Sequence, residues 1–159
     1  LINSWVGYDP PLPLPPNARL VGPLRRSEKT SPYALDESPS NALPGPLDAF
    51  LQSRSSVLYI SLGTNAVATP QLIRRIILGG QKAGSADHLL ILPSVPQIAV
   101  LRHPSTRIFW GHCGASSTIE GILSGLPLIM TPIFADQPKT AMQLEALGVS
   151  KTLEKDGED

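Results

Sequence analysis

The chain has 159 residues, enough for one domain with an ordinary core and too few for two at about 150 residues each. Its 13 Lys and Arg balance 13 Asp and Glu, scattered without blocks, so neither nucleic acid nor an anionic membrane surface is an expected partner. A single cysteine, Cys113, excludes an internal disulfide, and no apolar run reaches the roughly 18 residues of a membrane span.

The expectation is therefore a soluble, cytoplasmic domain, membrane-associated only if the full-length protein carries an anchor. The chain opens on leucine within an extended-looking stretch, which predicts a piece of something longer. Ten of its 17 prolines lie before residue 50. The run Pro10-Pro11-Leu12-Pro13-Leu14-Pro15-Pro16 lacks the amide donors of a helix or central strand, so residues 10–48 read as an extended linker.

Globular patterning begins at Val57-Leu58-Tyr59-Ile60-Ser61-Leu62, a β-forming apolar run that stops at Gly63-Thr64, as a buried parallel strand does. Thr69-Pro70 reads as an N-cap and first helical residue, opening a helix through Leu72, Ile73, Ile76 and Ile77. Leu89 to Leu92 reads as a second strand ending at Pro93, Ile98 to Leu101 as a short helix, and Arg107 to Gly111 as a further strand. Ser117-Thr118-Ile119-Glu120 has the spacing of a capping box, predicting a helix from there to a C′ glycine at Gly125. Pro127 to Thr131 is the next strand. Pro138 then suits a first helical turn, with Ala141, Leu144 and Leu147 as its apolar stripe. This alternation predicts an α/β fold: a parallel sheet with helices on both faces and ligands beyond the carboxyl ends of the strands.

Three loops follow apolar strands and are expected to meet at that edge: Gly63-Thr64-Asn65, Gly111 to Ser117, and Thr131 to Gln137. In the middle loop, glycines at 111 and 114 allow close backbone approach, and Ser116 and Ser117 stand where a helix start favours an anion such as phosphate. No Gly-x-Gly-x-x-Gly and no Gly-Lys-Ser/Thr is present, so a dinucleotide or a nucleoside-triphosphate motor is not indicated. His112 is a candidate donor to phosphate and Glu120 an acceptor for sugar hydroxyls. Taken singly, His112 also reads as a buried structural histidine, Glu120 as the capping partner of Ser117, and Asp136-Gln137 as a plain helix start. His88, His103, His112 and Cys113 lack zinc-site spacing, so no metal is expected. Nor is a Cys113–His112 nucleophile, since strand neighbours face opposite ways.

In combination these residues resemble the UDP-glycosyltransferases, the glucosyl- and glucuronosyltransferases that use nucleotide sugars. The resemblance lies in Val95-Pro96-Gln97, Leu101-x-His103-Pro104, Phe109-x-x-His112-Cys113-Gly114, Ser117-Thr118-x-Glu120, Gly125-x-Pro127 and Pro132-x-Phe134-x-Asp136-Gln137, in order and at family spacing. Ser61-Leu62-Gly63-Thr64 looks like the loop after the first strand of the family's C-terminal donor-binding domain. Leu1-Ile2-Asn3-Ser4, Pro15-Pro16-Asn17 and Val21-Gly22-Pro23-Leu24 look like the end of the acceptor lobe and the interdomain linker.

The resemblance implies a Rossmann-like lobe of a two-lobed GT-B glycosyltransferase, incomplete at both ends. Residues 1–50 would be the end of the acceptor lobe and the Pro-rich linker, and 51–159 a truncated UDP-sugar-binding domain. It further implies Gln97 on the uridine, Glu120 on the ribose, and Thr64, His112 and Ser117 on the diphosphate. Gly114 and Ser116 would line the same site, with Asp136 and Gln137 on the sugar. UDP-sugar would be a co-substrate with no further cofactor and no metal. A base would deprotonate an acceptor hydroxyl for inverting transfer. That base and the pocket for a small-molecule acceptor belong to an N-terminal lobe absent here, so the chain alone is not expected to transfer sugar.

Four departures stand out: Ser94 where the family has a stacking tryptophan, Ser116 for an asparagine, room for one strand between Gly84 and Ser94 where the family has two, and a final stretch, 149–159, that ends where another strand and closing helices are expected. A non-catalytic remnant or interaction module, and an unrelated phosphate-binding α/β protein, are the alternatives.

Overall fold

The computed structural model describes residues 16, 18, 42–63, 69–83 and 88–153. Four strands form one parallel sheet in sequence order: β1 (Val57–Ser61), β2 (Thr106–Gly111), β3 (Leu128–Met130) and β4 (Ser150–Thr152). The register sets Tyr59 beside Phe109 beside Leu128, and Ser61 beside Gly111 beside Met130. These residues share one face of the sheet, because side chains alternate along a strand.

That face carries the core. Phe109 is wholly buried and stacks on Tyr59 with ring centroids 5.5 Å apart. Helices α3 (Gln97–Arg102), α4 (Ala115–Leu123) and α5 (Gln137–Ala146) close over it with Leu101, Ile122, Ala141 and Leu144. Helix α4 lies so close that a Cβ on Gly121 would fall 2.8 Å from Phe109 and 2.9 Å from Leu128. Only hydrogen fits there. On the other face Ile60, Ile108, Trp110 and Ile129 are half-buried and Leu58 is exposed.

Most elements match the sequence pattern, for reasons local to the chain. Helix α2 (Pro70–Ala83) opens on Pro70 as expected, although Ile73 on its predicted apolar stripe is exposed. Gly125 takes φ +70 just beyond α4, the left-handed geometry of a C′ residue. Pro138 lies in the first turn of α5, with Ala141 and Leu144 buried, whereas Leu147, past the helix end, is exposed.

Four expectations need correction. Helix α1 (Gly45–Gln52) occupies the end of the stretch read as linker. Pro44 is its N-cap and Pro46 lies in its first turn, where a missing amide donor costs nothing, and Leu47 and Leu51 bury against Val100. Leu89–Leu92 forms no strand. Leu90 and Leu92 pack on the cluster around α1 instead, and the chain passes Pro93 and Pro96, which cannot donate to a ladder, straight into α3. Among the described residues β1 is thus an edge strand. Conversely, residues 150–152 do form a strand, β4, held by pairing to β3. Lastly, α4 begins at Ala115 with Gly114 as N-cap and no side-chain cap, so Ser117 and Glu120 form no capping box.

Candidate functional site

The carboxyl ends of β1, β2 and β3 release three loops side by side, as parallel strands in register must. Thr64, in the first of them, lies outside the described residues. Gly63 before it has φ +76 and lies against the His112 ring. A Cβ on Gly63 would stand 2.4 Å from His112 Cε1, and one on Gly114 would stand 2.3 Å from Nε2. The imidazole is held between two glycines.

His112 is buried, and its Nδ1 has no hydrogen-bond partner. Burial lowers its pKa below the ordinary value, against a smaller upward pull from the Ser61 backbone. The ring is therefore neutral at neutral pH, with one N–H to donate. Cys113 beside it is buried in the core at φ 67, and burial pushes its thiol up to about 12. A thiol in that state is no nucleophile.

Helix α4 starts immediately beyond. Its N-cap, Gly114, leaves the first amides of the helix without a side-chain acceptor, so they and the helix dipole favour an anion there. Ser116 is exposed on this first turn and Ser117 half-buried.

Ser117 and Glu120 turn toward Gln97, the first residue of α3. Gln97 Nε2 donates to Ser117 Oγ at 3.0 Å and to Glu120 Oε2 at 2.7 Å. Its Oε1 accepts from the Tyr59 hydroxyl at 3.2 Å. Tyr59 is the residue that sequence reading missed as part of the site: the pattern marks it only as one member of an apolar run.

The third loop is built around Gln137, 4% exposed, whose Oε1 accepts from the amides of Ile133 at 2.8 Å and Phe134 at 3.1 Å. That carbonyl is spent on the loop. Asp136 is the exposed N-cap of α5, with no side-chain cap bond. The structure thus gathers Gln97, His112, Gly114, Ser117 and Glu120, with Asp136 and Gln137 on the adjoining loop. Ser94 is exposed ahead of α3. Among the described residues no group of three or more His, Cys, Asp or Glu could hold a metal ion, and no helix is long and apolar enough to cross a membrane. Clefts of about 340 and 370 Å³, lined by His103, Pro104 and Arg107 among others, lie at the opposite, amino-terminal edge of the sheet.

Known proteins resemble this chain in sequence and in fold. The chain is 32% identical to UDP-glycosyltransferase 1 of Phaeomoniella chlamydospora, over 98% of this chain and 36% of that protein. It is 30% identical to an anthocyanidin 3-O-glucosyltransferase of Hordeum vulgare, over 92% of this chain and 38% of that protein. The chain spans little more than a third of the length of these curated relatives. The first alignment runs over 184 positions, more than the chain's 159 residues, so that relative carries residues within the matched span that this chain lacks.

Among solved structures, LpCGTa in complex with UDP superposes with a TM-score of 0.60 at 27% identity, over 69% of this chain and 32% of that one. Phytolacca americana UGT2 complexed with UDP-2fluoro-glucose and pterostilbene superposes with a TM-score of 0.63 at 29% identity, over 69% and 30%. The sheet is thus a Rossmann-like lobe of the GT-B kind. The sequence profile described as UDP-glucoronosyl and UDP-glucosyl transferase matches residues 1–156, and the chain belongs to that family.

Proposed function

We propose that this chain is the donor-binding lobe of a UDP-glycosyltransferase, holding a UDP-sugar whose hexose passes to an acceptor hydroxyl when an acceptor lobe is present. The observation that carries the reading is the convergence, at one sheet edge, of the glycine-held His112, the uncapped start of α4 and the Gln97–Ser117–Glu120 cluster. Structural neighbours with UDP and with UDP-2fluoro-glucose support it.

Each group suits one part of such a ligand. The free amides of α4 offer donors to a diphosphate beside the His112 ring, and the same donors stabilise the charge that develops as UDP departs. Glu120 offers a carboxylate oxygen to ribose hydroxyls, and Asp136 and Gln137 are the candidates for the sugar hydroxyls. In an inverting transfer a base of the acceptor lobe removes the proton of the attacking hydroxyl, and UDP leaves from the opposite side of the anomeric carbon.

Calorimetric titration with UDP tests the site. Micromolar to millimolar binding that is lost in His112→Ala and Glu120→Ala is the expected result. No binding by the unaltered chain, or equal binding by both variants, overturns the assignment.

A second reading, a remnant without catalytic use, is favoured by β1 standing at the sheet edge among the described residues and by Leu89–Leu92 forming no strand. An unpaired edge is a liability that enzymes normally cover. A cooperative melting transition raised by UDP counts against it, because a ligand that binds only the native state stabilises that state. The third alternative, an unrelated phosphate-binding protein, is removed by the family membership.

A further inference from the structure

We infer that Tyr59 is a positioning residue for nucleotide recognition: its hydroxyl fixes the Gln97 amide, and that amide aims the Glu120 carboxylate at the ribose hydroxyls of a bound uridine nucleotide. The inference rests on the reading of the site given above and extends it to a residue of β1 that no motif contains.

The order of donors and acceptors along this chain of bonds has one solution. A carboxylate only accepts, so the Gln97 atom 2.7 Å from Glu120 Oε2 must be the NH₂ group. The carbonyl Oε1 then faces Tyr59, whose hydroxyl must donate to it. Burial raises the Tyr59 pKa, with a smaller downward pull from the Ser61 side chain two residues along the same face of β1. Protons thus run in one direction, from Tyr59 to Gln97 and from there to both Ser117 and Glu120.

This order decides what remains for a ligand. Both protons and the carbonyl of the Gln97 amide are engaged by the protein, so the side chain acts through its neighbours. Glu120 is held by one oxygen and presents the other. Ser117, having accepted from Gln97, keeps its own hydroxyl proton to donate to an anion bound at the start of α4. Without the Tyr59 hydroxyl the oxygen end of the amide loses its partner, and the amide holds Glu120 less firmly.

The ring and the hydroxyl of Tyr59 have separable duties. The ring stacks on Phe109 and bridges the two parts of the core, and phenylalanine preserves that. The hydroxyl serves the site alone.

The test measures binding of two probes, UDP and UDP lacking both ribose hydroxyls, to the unaltered chain, Tyr59→Phe, Gln97→Ala, the double variant and Glu120→Ala. Tyr59→Phe is expected to weaken UDP by about fivefold to tenfold, the worth of one hydrogen bond, and to leave the hydroxyl-free probe within about twofold. Because Tyr59 acts through Gln97, the double variant should bind UDP no more weakly than Gln97→Ala. Unchanged UDP binding by Tyr59→Phe, equal weakening of both probes, or additive losses in the double variant each overturn the inference. If the unaltered chain binds UDP and Glu120→Ala does not, while Tyr59→Phe matches the unaltered chain, the site stands and this inference falls. If the unaltered chain does not bind UDP, the reading of the site falls and takes the inference with it.

Discussion

Gln97 donates to Glu120 across 2.7 Å, joining the first residue of α3 to the middle of α4 over a sequence separation of 23. This bond replaces the local one that the Ser117–Glu120 spacing invites. Because Glu120 is drawn to Gln97 and the helix starts at Ala115 on a glycine cap, the first amides of α4 stay open. A helix start left without its own cap is the part of this fold best suited to an anion.

The glycines around His112 give the most direct steric prediction. In Gly114→Ala the backbone is comfortable at φ −65, but the new Cβ meets His112 Nε2 at 2.3 Å. The ring must shift, and UDP affinity should fall by tenfold or more, on the order of the loss of one site donor. Gly63→Ala adds backbone strain at φ +76 to the same clash, so it should lose about 1–2 kcal/mol more stability than Gly114→Ala. Denaturant titration and calorimetry of the two variants check both.

His112 should make stability fall in mild acid. Its native pKa is depressed by burial, so between the ordinary value of about 6.5 and the native value the unfolded chain binds the proton that the native ring refuses. Stability conferred by the neutral ring is therefore complete at neutral pH and lost as pH falls below about 6.5. Denaturant midpoints between about pH 7.5 and pH 5.5 should decline, and His112→Gln should flatten the decline. An equal slope in both proteins assigns the effect to other groups.

Thr118 carries a hydroxyl that the fold does not use. The residue is 1% exposed and its Oγ1 has no hydrogen-bond partner. Thr118→Val keeps the shape and removes the desolvated oxygen, so it should stabilise the chain by about 1 kcal/mol. The check is a higher denaturation midpoint at an unchanged slope. A lower midpoint shows that the hydroxyl has a partner worth more than its burial costs.

Cys113 should be silent toward thiol reagents in the native state. It is 1% exposed and its thiol is pushed up to about 12, so almost no thiolate is present at neutral pH. Labelling with an aromatic disulfide should follow global unfolding. Fast labelling of the folded chain means that the loop after β2 opens independently of the core.

The sheet was readable because its signals are local. Val57–Ser61, Thr106–Gly111 and Leu128–Met130 coincide with short runs rich in apolar β-formers, and Thr69-Pro70, Gly125 and Pro138 punctuate the helices where the structure has their ends. Helix α1 escaped because Pro44 and Pro46 read as breakers, although proline suits a first turn once Leu47 and Leu51 have a core to bury in. Leu89–Leu92 misled in the opposite way. An apolar run of four residues shows that it will be buried, not whether a sheet edge or a helix buries it.

For the site, the sequence by itself determined which residue types stand at the strand ends and, through their spacing, the family. His112, Gly114, Ser117 and Glu120 needed no coordinates to be singled out. Only the tertiary structure decided their partners. Ser117 and Glu120 fit a capping box on local spacing, yet both are bonded to Gln97 of α3, which is itself held by Tyr59 of β1. Hydrogen bonds between distant residues leave no periodicity in a sequence, because the folding of β1, α3 and α4 around Phe109 is what brings those donors and acceptors within 3 Å or so.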